Sequence, residues 1–289
     1  MVFLPFEAKK LTENTSINLV NQIEFEDIYT PLSPQPVSTS YVCQGKGNIP
    51  ILLIHGFDSS LLEFRRLLPI LSQQHQTWAI DLLGFGFTKR NSNLLFSPEN
   101  IKTHLYCTWK NLIEQPVILV GASMGGATAI DFTLTYPDAV KKLVLIDSAG
   151  LAAPPKIGKL MFPPLDYLST AFLRNLTVRQ KISESAYYDK RFASKDAQLC
   201  AALHLNCERW SQSLISFTKS GGYGSFKEEM VNIKQETLII WGENDKILGT
   251  KDADKFNELI PDSQLIWIPK CGHVPHLEKA ELTAEAILN

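Results

Sequence analysis

The sequence offers no cysteine pattern to build on. Its five cysteines, Cys43, Cys107, Cys200, Cys207 and Cys271, are odd in number and contain no CxxC pair. That argues against a disulfide framework and for reduced thiols in a cytoplasmic compartment. Positive charge is not in excess either: 28 Lys and Arg stand against 30 Asp and Glu, a formal net charge of −2. No basic field therefore advertises nucleic acid or an anionic membrane. The six histidines are scattered, with no HExxH or Cys/His ligand spacing, so no metal is expected. No apolar stretch reaches the length of a membrane span. The opening apolar run, Met1 to Phe6, is too short for a signal-peptide core and lacks a basic flank. Repeats and low-complexity tracts are missing as well.

What is present is an alternation. Ile49–Ile54, Thr77–Ile80, Pro116–Val120, Lys142–Ile146, Thr237–Trp241 and Gln264–Ile268 are short runs, mostly apolar without polar alternation. Such runs suit strands buried on both faces of a parallel sheet. Helical spacing fills the gaps: Leu61–Gln74, Pro98–Glu114 with Ser97 as N-cap, Met124–Tyr136, Asp252–Ile260 and Glu278–Leu288. The pattern predicts an α/β doubly wound sheet. It breaks between 151 and about 225, where no clear strand occurs and Pro154-Pro155 and Pro163-Pro164 mark turns. The expected organisation is an N-terminal extension (1–40), a first core segment (41–150), a helical cap (151–225) and a second core segment (226–289). Thr30–Pro36 reads as a proline-rich irregular connector.

Gly121-Ala122-Ser123-Met124-Gly125-Gly126 lies between a predicted strand and a predicted helix. A serine at the apex of that turn projects its hydroxyl into a cleft, and flanking glycines let the chain pass close to itself. A lone serine hydroxyl is a poor nucleophile and needs a base, which in turn needs an orienting acid. His273 and Asp245 follow Ser123 in the order acid then histidine, each just past a predicted strand end, where ligands bind in such sheets. Asp245 is the favoured acid; Glu243 beside it and Asp147 at another strand end are the alternatives. The oxyanion needs two donors, assigned to the main-chain N–H groups of Phe57 and Met124. His55 and Asp81 read as structural groups at strand ends, Cys271 as a small buried hydrophobe, and His276 as a packing residue of the last helix. His75, His104 and His204 read as surface or ordinary packing residues.

Together, His55-Gly56-Phe57, Asp81-x-x-Gly84-x-Gly86, Gly121-x-Ser123-x-Gly125, Gly242-x-x-Asp245 and Gly272-His273-x-Pro275-His276-x-Glu278 resemble the α/β-hydrolase superfamily. The resemblance runs from about residue 41 to 289, minus the insertion. It implies a mainly parallel eight-stranded sheet with helices on both faces, and a cap between the sixth and seventh strands. It implies a serine hydrolase acting without metal or organic cofactor. Ser at position 123 departs from the haloalkane dehalogenases and epoxide hydrolases of this fold, which carry Asp there. Met124-Gly125-Gly126 is similar to the elbow of meta-cleavage-product hydrolases, which cut C–C bonds. The loop Phe57-Asp58-Ser59-Ser60 is instead closer to general esterases.

The preferred substrate is a small-molecule carboxylic ester with an apolar acyl group. C–C hydrolysis and a small-ligand receptor on the same fold are the alternatives. Apolar and aromatic cap residues (Leu160, Met161, Phe162, Leu165, Tyr167, Leu168, Phe172, Tyr187, Tyr188, Phe192, Trp210) are expected to pack the cap, with a few lining the acyl pocket.

Overall fold

A computed structural model describes residues 5–152 and 162–289. Eight strands form one sheet: β1 (Glu24–Thr30), β2 (Ser33–Gln44), β3 (Ile51–Ile54), β4 (Thr77–Ile80), β5 (Val117–Ala122), β6 (Val140–Ile146), β7 (Glu236–Gly242) and β8 (Ser263–Ile268). Their order across the sheet is β1-β2-β4-β3-β5-β6-β7-β8. β1 and β2 run antiparallel to their neighbours, and the other contacts are parallel. The helices, in chain order, are α1 (Asn14–Asn21), α2 (Leu68–Leu71), α3 (Pro98–Leu112), α4 (Met124–Thr135), α5 (Leu165–Arg174), α6 (Leu176–Ala186), α7 (Lys195–Cys200), α8 (Trp210–Lys219), α9 (Lys251–Leu259), α10 (Pro275–Glu278) and α11 (Ala280–Leu288).

The unbroken apolar runs follow from burial on two sides. In β3, Leu52 and Ile54 face one core while Ile51 and Leu53 face the other, and Val117/Leu119 and Ile118/Val120 of β5 divide the same way. A period-2 strand between two helical layers needs an apolar residue at every position. Ser97 caps α3 as expected, accepting from the N–H of Asn100.

Two local expectations fail. The segment around Thr30–Pro36 is not an irregular connector: Thr30 and Ser33 pair across a hairpin, and β2 continues to Gln44. Its prolines are tolerated because β2 pairs with β4 only at Tyr41–Gln44, and the β1 ladder has a register shift at Ile28/Thr30. The sheet therefore reaches back before residue 41, where the core was expected to begin. The helix expected over Leu61–Gln74 is a 3-10 turn at Leu61–Phe64 followed by the short α2, with Pro69 in its first turn.

Between β6 and β7 the described chain is helical, from α5 to α8. The expectation that its aromatic residues mainly pack inward is corrected. Phe162, Leu165, Tyr167, Leu168, Phe172 and Tyr188 are exposed, whereas Tyr187 and Trp210 are buried and Phe192 is half-buried. α5 packs on α6 and α8 and so covers only one of its faces. Leu160, Met161 and Pro154-Pro155 lie outside the described residues. Among the described residues no helix is long and apolar enough to cross a membrane.

Candidate active site

The strand-to-helix turn after β5 places Ser123 at φ 53° and ψ −119°, directly before α4. A non-glycine residue in this region is strained by about 1–2 kcal/mol. The surroundings hold it there: its N–H donates to Ile146 O, and its carbonyl accepts from Gly126 and Ala149. A Cβ on Gly121 would strike the carbonyl of Gly125, and one on Gly125 would strike the carbonyl of Ile54. Both positions therefore exclude a side chain, as the close passage of the chain requires.

Past β7, Asp245 is buried, and its Oδ1 accepts the N–H groups of Ile247 and Leu248 at 2.7 and 3.1 Å. Its Oδ2 lies 2.8 Å from Nδ1 of His273, past β8. Burial pushes the Asp245 carboxyl upward, but the hydrogen bond and charge of His273 and the two N–H donors outweigh it, and the net direction is down. Glu243, the first alternative acid, is exposed. Asp147, the second, is buried; its Oδ1 accepts from Gly242 N–H and its Oδ2 has no partner among the described residues. Burial, then the nearby charge of Asp245, drives Asp147 well above the ordinary carboxylate range. Asp147 and Asp245 are thus two neighbouring carboxyls pushed in opposite directions, Asp147 toward its protonated form and Asp245 toward its ionised form.

Asp147, Asp245 and His273 each offer an atom within 4.8 Å of the others, the one grouping of metal-ligand type among the described residues. His273 Nδ1 and Asp245 Oδ2 are engaged with each other and Asp245 Oδ1 with two backbone N–H groups, so a metal held by those atoms would have to displace the His273–Asp245 bond.

The loop after β3 lies over Ser123: a Cβ on Gly56 would sit 3.3 Å from Ser123 Cβ. The N–H groups of Phe57 and Met124 have no acceptor among the described residues, while Gly56 N–H donates to Glu63 Oε2. Ser123 Oγ also lacks a hydrogen-bond partner among the described residues. Catalytic hydrogen bonds of unliganded enzymes are often long and tighten with substrate. His55 holds the loop as expected: its Nε2 accepts from Leu82 N–H, so Nδ1 donates to Gly56 O. Asp81 organises its turn by accepting from Ser40 Oγ and from the N–H groups of Leu61 and Phe87. Cys271 is buried, and burial followed by the charge of Glu278 raises its thiol pKa far above the ordinary value, so it is not a thiolate.

Several supports of the site carry no local signal in the sequence. Asp58, at φ 49°, accepts from three residues of the helical segment between β6 and β7: Arg179, His204 and Trp210. His204 is therefore a buried anchor and not an ordinary packing residue. Burial lowers its pKa more than Asp58 raises it, so it donates from Nε2 as a neutral ring with Nδ1 bare. Glu63 couples Gly56 to His276, whose Nε2 lies 3.1 Å away. Glu278 accepts from Gly272, Tyr188 and Asp189 N–H, and His273 N–H donates to Ala186 O at 2.7 Å. The helical segment between β6 and β7 is thereby pinned to the loop that carries His273.

A family model described as the alpha/beta hydrolase fold matches residues 49–280. The chain belongs to the α/β-hydrolase fold family. It is 34% identical to the alpha/beta hydrolase domain-containing protein VTE7 of Arabidopsis thaliana over 231 residues, 79% of this chain and 70% of that protein. It is 29% identical to a 2-hydroxy-6-oxo-6-(2'-aminophenyl)hexa-2,4-dienoic acid hydrolase of Metapseudomonas resinovorans, over 88% of this chain and 87% of that one. Among solved structures, a serine hydrolase involved in carbazole degradation superposes with a TM-score of 0.75 at 26% identity, covering 92% of this chain and 98% of its own. The mainly parallel eight-stranded sheet that the family resemblance implies is the observed one.

Proposed function

We propose that this α/β-hydrolase-fold protein is a serine hydrolase that cleaves a carboxylic ester with an apolar acyl group through an acyl-enzyme on Ser123. The observation that carries the reading is the 2.8 Å contact between His273 Nδ1 and Asp245 Oδ2, on the same sheet end as the strained Ser123. With Nδ1–H given to Asp245, Nε2 of His273 is left as the base. His273 takes the Ser123 proton as Oγ attacks the ester carbonyl. Asp245 fixes the tautomer and stabilises the imidazolium. The N–H groups of Phe57 and Met124 receive the oxyanion, helped by the free N-terminal end of α4. His273 then protonates the departing alcohol, and water repeats the sequence on the acyl-enzyme to release the acid. No step calls on a metal or organic cofactor. The five free thiols fit a reducing, cytoplasmic compartment.

A second reading, C–C hydrolysis, is favoured by the likeness to the dienoic acid hydrolase. The ester reading is preferred because the loop after His55-Gly56 is Phe57-Asp58-Ser59-Ser60 and is tied to the cap through Asp58, not a small glycine-rich loop. A graded series of p-nitrophenyl esters separates the readings. The ester reading expects turnover by the wild type that varies with acyl length and is absent in Ser123→Ala; no ester turnover by folded protein overturns it.

A further inference from the structure

Between cap and core lies a cavity of about 230 Å³ whose walls include Phe57, Leu62, Leu173, Ile182, Val274 and Leu277. Neither Ser123 nor His273 lines it. At its wall stands Arg65, only 2% exposed. Its Nη1 donates to Leu62 O at 3.2 Å, and its Nε and Nη2 have no partner among the described residues. Those two nitrogens form one edge of the guanidinium, where two parallel N–H groups match the two oxygens of a carboxylate. A buried cation without a hydrogen-bonded anion is unfavourable unless something answers it.

The acids close to Arg65 do not meet that edge. Glu13 grips Arg66 with both oxygens. Asp196 accepts from Thr12 N–H, Glu13 N–H and Ser16 Oγ. The two acids in the cavity wall are also engaged: Asp58 with Arg179, His204 and Trp210, and Glu63 with Gly56 N–H and His276. Arg179 adds a further buried Nε without a partner in the same wall. The neutral Tyr187 and Cys200 complete the lining around Arg65.

We propose that this cavity is a binding site for a monocarboxylate with an apolar body, its carboxylate held by Arg65 Nε and Nη2 and its body lying against Leu62, Leu173, Ile182 and Leu277. The site stands independently of whether Ser123 is a nucleophile. Apolar walls alone would accept any hydrocarbon of suitable size; the unpaired guanidinium edge selects for the anion.

Binding of octanoate and of octanamide is measured by calorimetry on full-length Ser123→Ala protein, so that turnover plays no part. Octanoate is expected to bind at least tenfold more tightly than octanamide. Arg65→Lys, which keeps the charge and loses the fork, is expected to remove most of that preference and leave octanamide unchanged. Because variants at a buried arginine can fail to fold, a crystal structure of Ser123→Ala with octanoate supplies the second readout. Carboxylate oxygens on Nε and Nη2 of Arg65 support the proposal. Equal affinity for acid and amide, binding of neither, or only water on those nitrogens at saturating octanoate overturns it.

Discussion

The indole of Trp210 donates to Asp58 Oδ1 across 2.8 Å. Trp210 belongs to the helical segment between β6 and β7; Asp58 follows directly on Phe57, whose N–H is proposed to receive the oxyanion. The helical segment between β6 and β7 therefore takes part in holding the loop proposed to receive the oxyanion charge.

Removing that carboxylate leaves Arg179, from which it accepts at 2.6 Å, as a half-buried cation with only carbonyl partners. Asp58→Ala is expected to cost about 3–5 kcal/mol in urea denaturation. Trp210→Phe, which deletes one donor, is expected to cost about 1–3 kcal/mol. Ester turnover by whatever Asp58→Ala protein still folds should fall through kcat more than KM. A loss of stability below about 1 kcal/mol for Asp58→Ala would contradict the anchoring role.

The acid limb of stability has an identifiable source. Burial raises Asp58 and Glu63, but His204 and Arg179 in the first case, and His276 and Gly56 N–H in the second, outweigh it and hold both at about 2. Their ordinary values are 3.8 and 4.5. On acidification the unfolded chain takes up these protons first, so the stability they confer is complete above about pH 4.5 and is lost as pH falls toward 2. In denaturation curves recorded across that window, the gap between wild type and Glu63→Gln should shrink with falling pH. A gap that stays constant would contradict the assignment.

Asp147 has the opposite sign. Its folded-state carboxyl is raised by burial and by Asp245, so the folded chain holds a proton that the unfolded chain releases. Its contribution is complete below the ordinary carboxylate range and diminishes as pH rises. Asp147→Asn, which mimics the protonated form, should gain stability relative to wild type between pH 3 and pH 7 while keeping Asp245 in place. A relative stability that does not change with pH would show that Asp147 is ionised in the fold.

What was legible in the sequence and what was not follow from range. The runs at Ile51–Ile54 and Val117–Val120 betrayed their strands because both faces are buried, and Gly121, Ser123 and Gly125 marked the elbow because only those spacings allow the backbone to close. That Asp245 and His273 meet was readable from their places after β7 and β8. Nothing near Asp58 in sequence names Arg179, His204 or Trp210, and nothing near Glu63 names His276; those bonds join segments far apart in the chain and are settled by tertiary packing. The β1–β2 hairpin was hidden by Pro34 and Pro36, residues that normally disfavour a strand and are admitted here beside an irregular edge. Arg65 was masked by an amphipathic stretch in which a charge reads as solvated, whereas the fold buries it.

The proposed activation of Ser123 by His273 is open to direct chemical test. Native protein is treated with a fluorophosphonate, and the adduct is located by mass spectrometry in wild type, Ser123→Ala and His273→Ala. An adduct is expected on Ser123 in the wild type, missing from Ser123→Ala and slowed on the order of 10⁴-fold in His273→Ala. Absence of an adduct from folded wild type, or equal labelling of His273→Ala, would contradict that activation.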